Sequence, residues 1–140
     1  MQKLVIDTNV FVSYLISQNG FSFKIVDEVL LSRNAVHYVS NDTLKEYLVV
    51  FNRARFAKKY PEFLRIAYLL YDHLTELSVA IKPAETFEII KDDSDNRFLE
   101  VADAVNANYL ITGNKLHFTF ASFYNTQIVS PKGYWENYKP

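Results

Sequence analysis

The sequence has no cysteine. Disulfides and thiolate metal sites are therefore excluded, and the composition fits a reducing, cytoplasmic compartment. Glycine and proline are scarce, with three and four residues in 140. Linkers and low-complexity tracts have little to be built from, so connections are expected to be short. A charge excess is also lacking, since the formal net charge is −1. That argues against a globally basic nucleic-acid binder, though not against one local basic patch working beside bound cations. Nor is there a long apolar run. Leu4 to Ile6 is interrupted at once by Asp7, which speaks against a secretory leader. No stretch approaches the roughly 20 apolar residues of a membrane span.

What is present is a core-forming composition, 49% hydrophobic, with 11 Phe and 10 Tyr. This suits one compact domain over residues 1–140. Aromatic side chains cover surfaces as well as fill cores, so their number assigns no function.

Strands and helices alternate along the chain. Lys3 to Ile6 reads as a first strand ending in Asp7-Thr8-Asn9. Residues 10–17 and 21–33 read as helices split at Asn19-Gly20. Ala35 to Val39 is a second strand, and Ser40, Asn41 and Asp42 offer caps for a helix over 43–52. The run through Lys58-Lys59-Tyr60-Pro61 breaks the pattern. Pro61 suits a helix start, and residues 62–74 carry an apolar stripe through Phe63, Ile66, Ala67, Leu70 and Leu74. A strand near 76–81 follows. Asp92-Asp93-Ser94 caps a helix over 95–106. Then come a strand over 108–112, a turn or short helix from Asn114, a strand near 127–129 and a tail. The alternation predicts an α/β fold with a mainly parallel sheet. Ligands of such sheets sit beyond the carboxyl ends of the strands. Three places qualify: Asp7-Thr8-Asn9, the loop after residue 39, and Thr112-Gly113-Asn114.

Most of the 16 acids should be solvated. Asp7 is different, because it closes an apolar strand and precedes Val10, Phe11 and Val12. As a helix N-cap it would be unremarkable, but its position at a strand's carboxyl end favours function. Glu46 has Val49 and Val50 at i+3 and i+4, beside a stripe of Leu44, Tyr47, Leu48 and Phe51. An exposed Glu on a two-sided helix explains it equally well. Asp95 heads the stripe of Phe98, Leu99 and Ala102, while Asn96, Arg97 and Glu100 take the polar face. Asp92 and Asp93 already suffice for favourable charge at that helix start, which leaves Asp95 surplus. Asn114 follows the strand Tyr109 to Thr112 and the sharp turn at Gly113; alone it is an ordinary turn residue. Carboxylates gathered at one sheet end cannot all ionise without a cation or a shared proton. Hard oxygen ligands suit Mg²⁺ or Mn²⁺, and such ions serve displacement at phosphorus. The residues alone therefore point to a divalent-metal phosphodiesterase or phosphotransfer site.

Four segments together resemble the PIN domain family: Asp7-Thr8-Asn9-Val10, Ser40-x-x-Thr43-Leu44-x-Glu46, Asp92-x-x-Asp95-Asn96-x-Phe98-Leu99 and Ile111-Thr112-Gly113. The resemblance covers nearly the whole chain and is nearest to the toxin components of bacterial toxin–antitoxin pairs. It implies a Rossmann-like three-layer α/β/α sandwich with a central, mainly parallel sheet. It also implies Mg²⁺- or Mn²⁺-dependent endoribonuclease activity leaving a 5′-phosphate and a 3′-hydroxyl. Asp7, Glu46 and Asp95 match the family's first three acidic positions, and Thr8, Asn9 and Thr112 its polar supporting residues. Asn114 stands where many members have Asp, so a fourth ligand there brings no charge. Asp92 compensates in part if its loop folds inward. A cognate antitoxin and a homodimer are further implications.

Arg53, Arg55, Lys58 and Lys59, with Phe56 and Tyr60 between them, form the main basic patch. It suits an RNA backbone or an acidic antitoxin segment, and equally a solvated connector. Lys115 lies beside the expected site and could reach phosphate. His37, His73 and His117 lack metal-ligand spacing; His37 and His73 read as structural, and His117 as local packing. Trp135 reads as packing the tail. Two rivals remain. One is a catalytically weakened RNA- or protein-binding module on the same fold. The other is phosphotransfer, which the residues disfavour. A haloacid-dehalogenase-like site wants Asp at position 9, and a receiver domain wants an acid before Asp7, where Ile6 stands.

Overall fold

The computed structural model describes residues 1–114, 118 and 120–140. Among the described residues, six strands form one sheet in the order β3-β2-β1-β4-β6-β5. They are β1 (Lys3–Ile6), β2 (Val36–Val39), β3 (Val79–Ala80), β4 (Tyr109–Ile111), β5 (Ser122–Phe123) and β6 (Thr126–Val129). All pairings are parallel except β5 with β6. Central β1 is apolar because both its faces are covered: Leu4, Val5 and Ile6 are fully buried. The architecture is the α/β sandwich expected from the sequence.

The helices are α1 (Thr8–Ile16), α2 (Phe21–Lys24), α3 (Asn41–Phe51), α4 (Ala54–Lys59), α5 (Phe63–Leu77), α6 (Asp93–Val105) and α7 (Pro131–Asn137). Among the described residues none is long and apolar enough to cross a membrane. Ser40 starts α3 with a reciprocal capping box: its Oγ accepts from Thr43 N–H, and Thr43 Oγ1 accepts from Ser40 N–H. Asp92 caps α6 by accepting from Ser94 N–H and Oγ–H.

Several local expectations need correction. The segment expected as one helix over 21–33 is α2 followed by a π-helical stretch, Ile25–Leu31. Its buried residues Ile25, Val26, Val29 and Leu30 would suit either winding, so the pattern could not tell them apart. The chain past Arg53 is not a plain connector but holds α4. That helix buries no residue fully and docks through Phe56, stacked on Phe63 at 4.9 Å. A single aromatic anchor leaves no periodicity to read. Ile66, expected in the α5 stripe, is 37% exposed. The strand near 76–81 shrinks to Val79–Ala80 because α5 continues to Leu77. β5 and α7 were not anticipated; α7 starts with Ser130 as cap and Pro131 in its first turn. The turn or helix expected from Asn114 lies mostly outside the described residues.

The connections are also not uniformly short. Residues 81–91 form a strap without regular structure between β3 and Asp92. It lies against the supposedly solvated face of α6. Asn96 is 1% exposed and Glu100 5% exposed. The strap's backbone groups need partners, and these polar side chains supply them.

His37 is fully buried in β2, with Nδ1 2.6 Å from Ser78 Oγ and Nε2 3.4 Å from the Tyr47 hydroxyl. The Tyr47 hydroxyl donates to Ile6 O at 2.6 Å. This bears out a structural role. Burial pushes the His37 pKa down to about 3 from 6.5. The sign follows: its contribution is complete above pH 6.5 and is lost as pH falls, because the unfolded chain takes up the proton first. At pH 5 the expected loss is about 2 kcal/mol, or roughly 1 M in the urea midpoint. His37→Gln should shrink the difference in midpoint between pH 7.5 and 5.0. Equal pH dependence in both proteins would rule out His37 as its source.

Candidate active site

A cavity of 390 Å³ opens beyond the carboxyl ends of β1 and β4, beside α3 and the start of α6. Asp7, Thr8, Asn9, Glu46, Asp92, Asp95 and Asn114 all line it. The sequence motifs that carry them are far apart in the chain, and the parallel sheet brings their carboxyl ends together.

Asp7 leaves β1 and caps α1, so the capping and functional readings coincide in one side chain. It is 6% exposed. Oδ1 accepts from Thr8 N–H at 2.7 Å, and Oδ2 accepts from Thr112 Oγ1–H at 2.8 Å and from Asn9 Nδ2–H at 3.4 Å. These bonds engage both carboxylate oxygens and fix the orientation of the side chain. Fully buried Thr112 extends the arrangement, because its Oγ1 accepts from Asn114 N–H at 3.1 Å. Asn9 Oδ1 accepts from Gly113 N–H at 2.9 Å and so joins the ends of β1 and β4. A Cβ at position 113 would lie 3.3 Å from that oxygen, so glycine permits the close approach.

Glu46 reaches the cavity from α3 and Asp95 from the first turn of α6. Asp95 is 5% exposed and heads the buried stripe as expected. Partial burial pushes the Glu46 carboxyl up; Arg53 opposes this, while Asp92 and Asp7 push it further up. Negative charge therefore accumulates across the cavity, whose rim includes the exposed Asp92 at the end of the strap. Among the described residues, no group of three or more His, Asp or Glu side chains is assembled to hold a metal ion as it stands. The donor chemistry nevertheless fits a hard divalent cation, since the polar lining is rich in carboxylate, amide and hydroxyl oxygen. A further observation favours a ligand here. Thr8 Oγ1 is buried without a hydrogen-bond partner among the described residues. An unsatisfied buried hydroxyl costs about 1–3 kcal/mol, and a bound water or ligand oxygen would relieve it.

Of the basic patch, Arg53 and Arg55 line the cavity with Phe56. Lys58 and Lys59 end α4 away from the lining, and Lys59 lies over the Tyr60 ring. Lys115 and His117 fall outside the described residues. Val12, Ser13, Val50 and Ser94 also line the cavity and were not singled out from sequence. Ser13 sits four residues after Asn9 on α1, so a helical projection from Asn9 would have found it. Ser94 lies within the Asp92–Asp95 motif itself.

The PIN domain family model matches residues 3–116. The chain belongs to the PIN domain family. PIN domains are generally nucleases that depend on divalent metal ions. An uncharacterized protein of Methanocaldococcus jannaschii is 37% identical over 113 residues, covering 81% of this chain and 71% of that protein. Two solved structures share the PIN fold. VapBC2 from Rickettsia felis, bound to a DNA fragment from its promoter, superposes with a TM-score of 0.60 at 15% identity, covering 92% of this chain and 98% of that one. FitAB bound to a DNA fragment gives 0.57 at 17% identity, covering 91% and 94%.

Proposed function

We propose that this PIN domain is a divalent-metal-dependent ribonuclease that cleaves RNA phosphodiester bonds, serving as the toxin of a toxin–antitoxin pair. The observation that carries the reading is the single cavity lined by Asp7, Glu46, Asp92, Asp95 and Asn114, with Arg53 and Arg55 at its side. Asp7, Glu46, Asp95 and Asn114 would hold Mg²⁺ or Mn²⁺, with Asp92 adding charge where Asn114 brings none. An ion held there supplies charge stabilisation at the phosphate oxygens and lowers the pKa of an attacking water. Thr112 and Asn9 fix the Asp7 carboxylate by hydrogen bonds. Thr8 offers its open hydroxyl to a water or substrate oxygen. Arg53 and Arg55 would take the phosphates flanking the scissile bond, and Lys58, Lys59 and Lys115 extend the basic track.

The toxin role draws support from the likeness of fold to VapBC2 and FitAB. A cognate antitoxin, a homodimer, a cytoplasmic location and one domain over residues 1–140 belong to the same proposal.

Purified protein with Mn²⁺ should cut single-stranded RNA, and EDTA should stop it. No cleavage, with RNA binding retained in EDTA, would favour the non-catalytic binding module instead. With Mn²⁺ present, Arg53→Ala and Arg55→Ala should each weaken RNA binding. Each should also flatten the dependence of log affinity on log salt by about 0.7, one phosphate contact on a single strand. Unchanged slopes would remove these arginines from the RNA path.

A further inference from the structure

The face of α6 turned away from the sheet carries polar side chains that are buried rather than solvated. Asn96 Oδ1 accepts from Ile89 N–H at 3.0 Å and from Ile90 N–H at 2.9 Å. Its Nδ2 donates to Ile90 O at 2.7 Å and to Asp92 O at 3.4 Å. One carboxamide thus holds both polar groups of Ile90 and reaches the residue that caps α6. Lower on the helix, Glu100 Oε2 accepts from Phe87 N–H at 2.9 Å and Arg97 Nη2 donates to Phe87 O at 2.9 Å. Arg97 and Glu100 are themselves paired at 3.0 Å. Side chains of a helix therefore serve the strap as a neighbouring strand would.

This clasp acts next to the candidate site. Ile90 is two residues before Asp92, and Asp95 directly precedes Asn96. Asp92 and Asp95 both line the cavity, together with Glu46. We infer that Asn96 is a positioning residue: its carboxamide pins the end of the strap to α6 and thereby fixes Asp92 within the metal-binding cavity. The inference rests on the metal-dependent reading proposed above and adds to it. Asp92 keeps its own cap on Ser94, and Asn96 holds the backbone on which that cap sits. An alanine at position 96 leaves Ile89 and Ile90 to find water and releases the turn carrying Asp92. Asn96→Asp keeps the acceptor for the two amides but loses the donors to Ile90 O and Asp92 O, and it adds a charge beside Asp95.

The test is Mn²⁺ affinity, measured by electron paramagnetic resonance on the full chain without RNA. Asn96→Ala should weaken Mn²⁺ binding about tenfold, the low end of what an outer hydrogen-bond partner of a metal site contributes. Asp92→Asn should weaken it by a similar factor. The double variant should bind no more weakly than Asp92→Asn alone, because Asn96 works through Asp92. Val101→Ala, at a fully buried position of α6, serves as the destabilised control and should keep its affinity. Hydrogen exchange at Ile89 and Ile90 should speed up in Asn96→Ala only. Full Mn²⁺ affinity in Asn96→Ala, an additive double variant, or an equal loss in Val101→Ala overturns the positioning role while the wild-type protein still binds Mn²⁺. Absence of Mn²⁺ binding in the wild-type protein overturns the metal-dependent reading and this inference with it.

Discussion

Asp7→Asn is expected to reduce Mn²⁺-dependent RNA cleavage by more than about 100-fold, beyond the range of a residue that merely supports a ligand. The substitution separates the two roles that coincide at this residue. Asn is as good an N-cap as Asp, so α1 keeps its start. The amide also keeps an oxygen for Thr8 N–H or Thr112 Oγ1–H, and the melting temperature should fall by no more than about 4 °C. What is lost is the charge. Asp95→Asn should behave alike, because α6 retains Asp92 as its cap and Asp93 in its first turn. Cleavage within a few-fold of wild type in both variants would refute the site, while collapse of the fold in Asp7→Asn would mean that Asp7 is chiefly structural.

The second large effect is expected at Thr112. Its hydroxyl, fully buried, donates to Asp7 Oδ2 and accepts from Asn114 N–H. Valine fills nearly the same space without these bonds. Hydrogen bonds to a charged group are worth about 1.5–3 kcal/mol, so Thr112→Val should destabilise the protein by about that amount. It should also lower cleavage by about 10–100-fold, since Asp7 is no longer held. Thr112→Ser retains the hydroxyl and should recover most of both. Chemical denaturation and cleavage rates measured on the two variants decide this. A serine variant as impaired as the valine one would trace the defect to the lost methyl group and its packing.

How far the sequence could be read depended on how local the signal was. β1 was legible because Lys3 to Ile6 is an apolar run cut by an acid. The start of α3 was legible to within two residues because Ser40, Asn41 and Asp42 all offer caps, and the structure selects Ser40 through its reciprocal bonds with Thr43. Asp7 and Asp95 stood out as acids on apolar elements, whereas Glu46 and Asn114 gained weight only from the family resemblance, and the structure brings all four to one cavity. The π-helical stretch, α4 and β5 were hidden for a different reason. Their patterns are short, or fit two windings equally, and only packing elsewhere in the chain selects one.

The face of α6 shows this division most clearly. By itself the sequence determined a helix over about 95–106, observed as Asp93–Val105, with Asp95 at the head of its buried stripe, because spacing, caps and apolar periodicity are properties of neighbours in the chain. It could not reveal that Asn96 and Glu100 are buried too, since polar residues opposite an apolar stripe look solvated from sequence. Tertiary structure decided otherwise by laying residues 81–91 across them. A strap with unpaired backbone groups needs donors and acceptors where water is excluded, and that requirement exists only once the two segments meet in space.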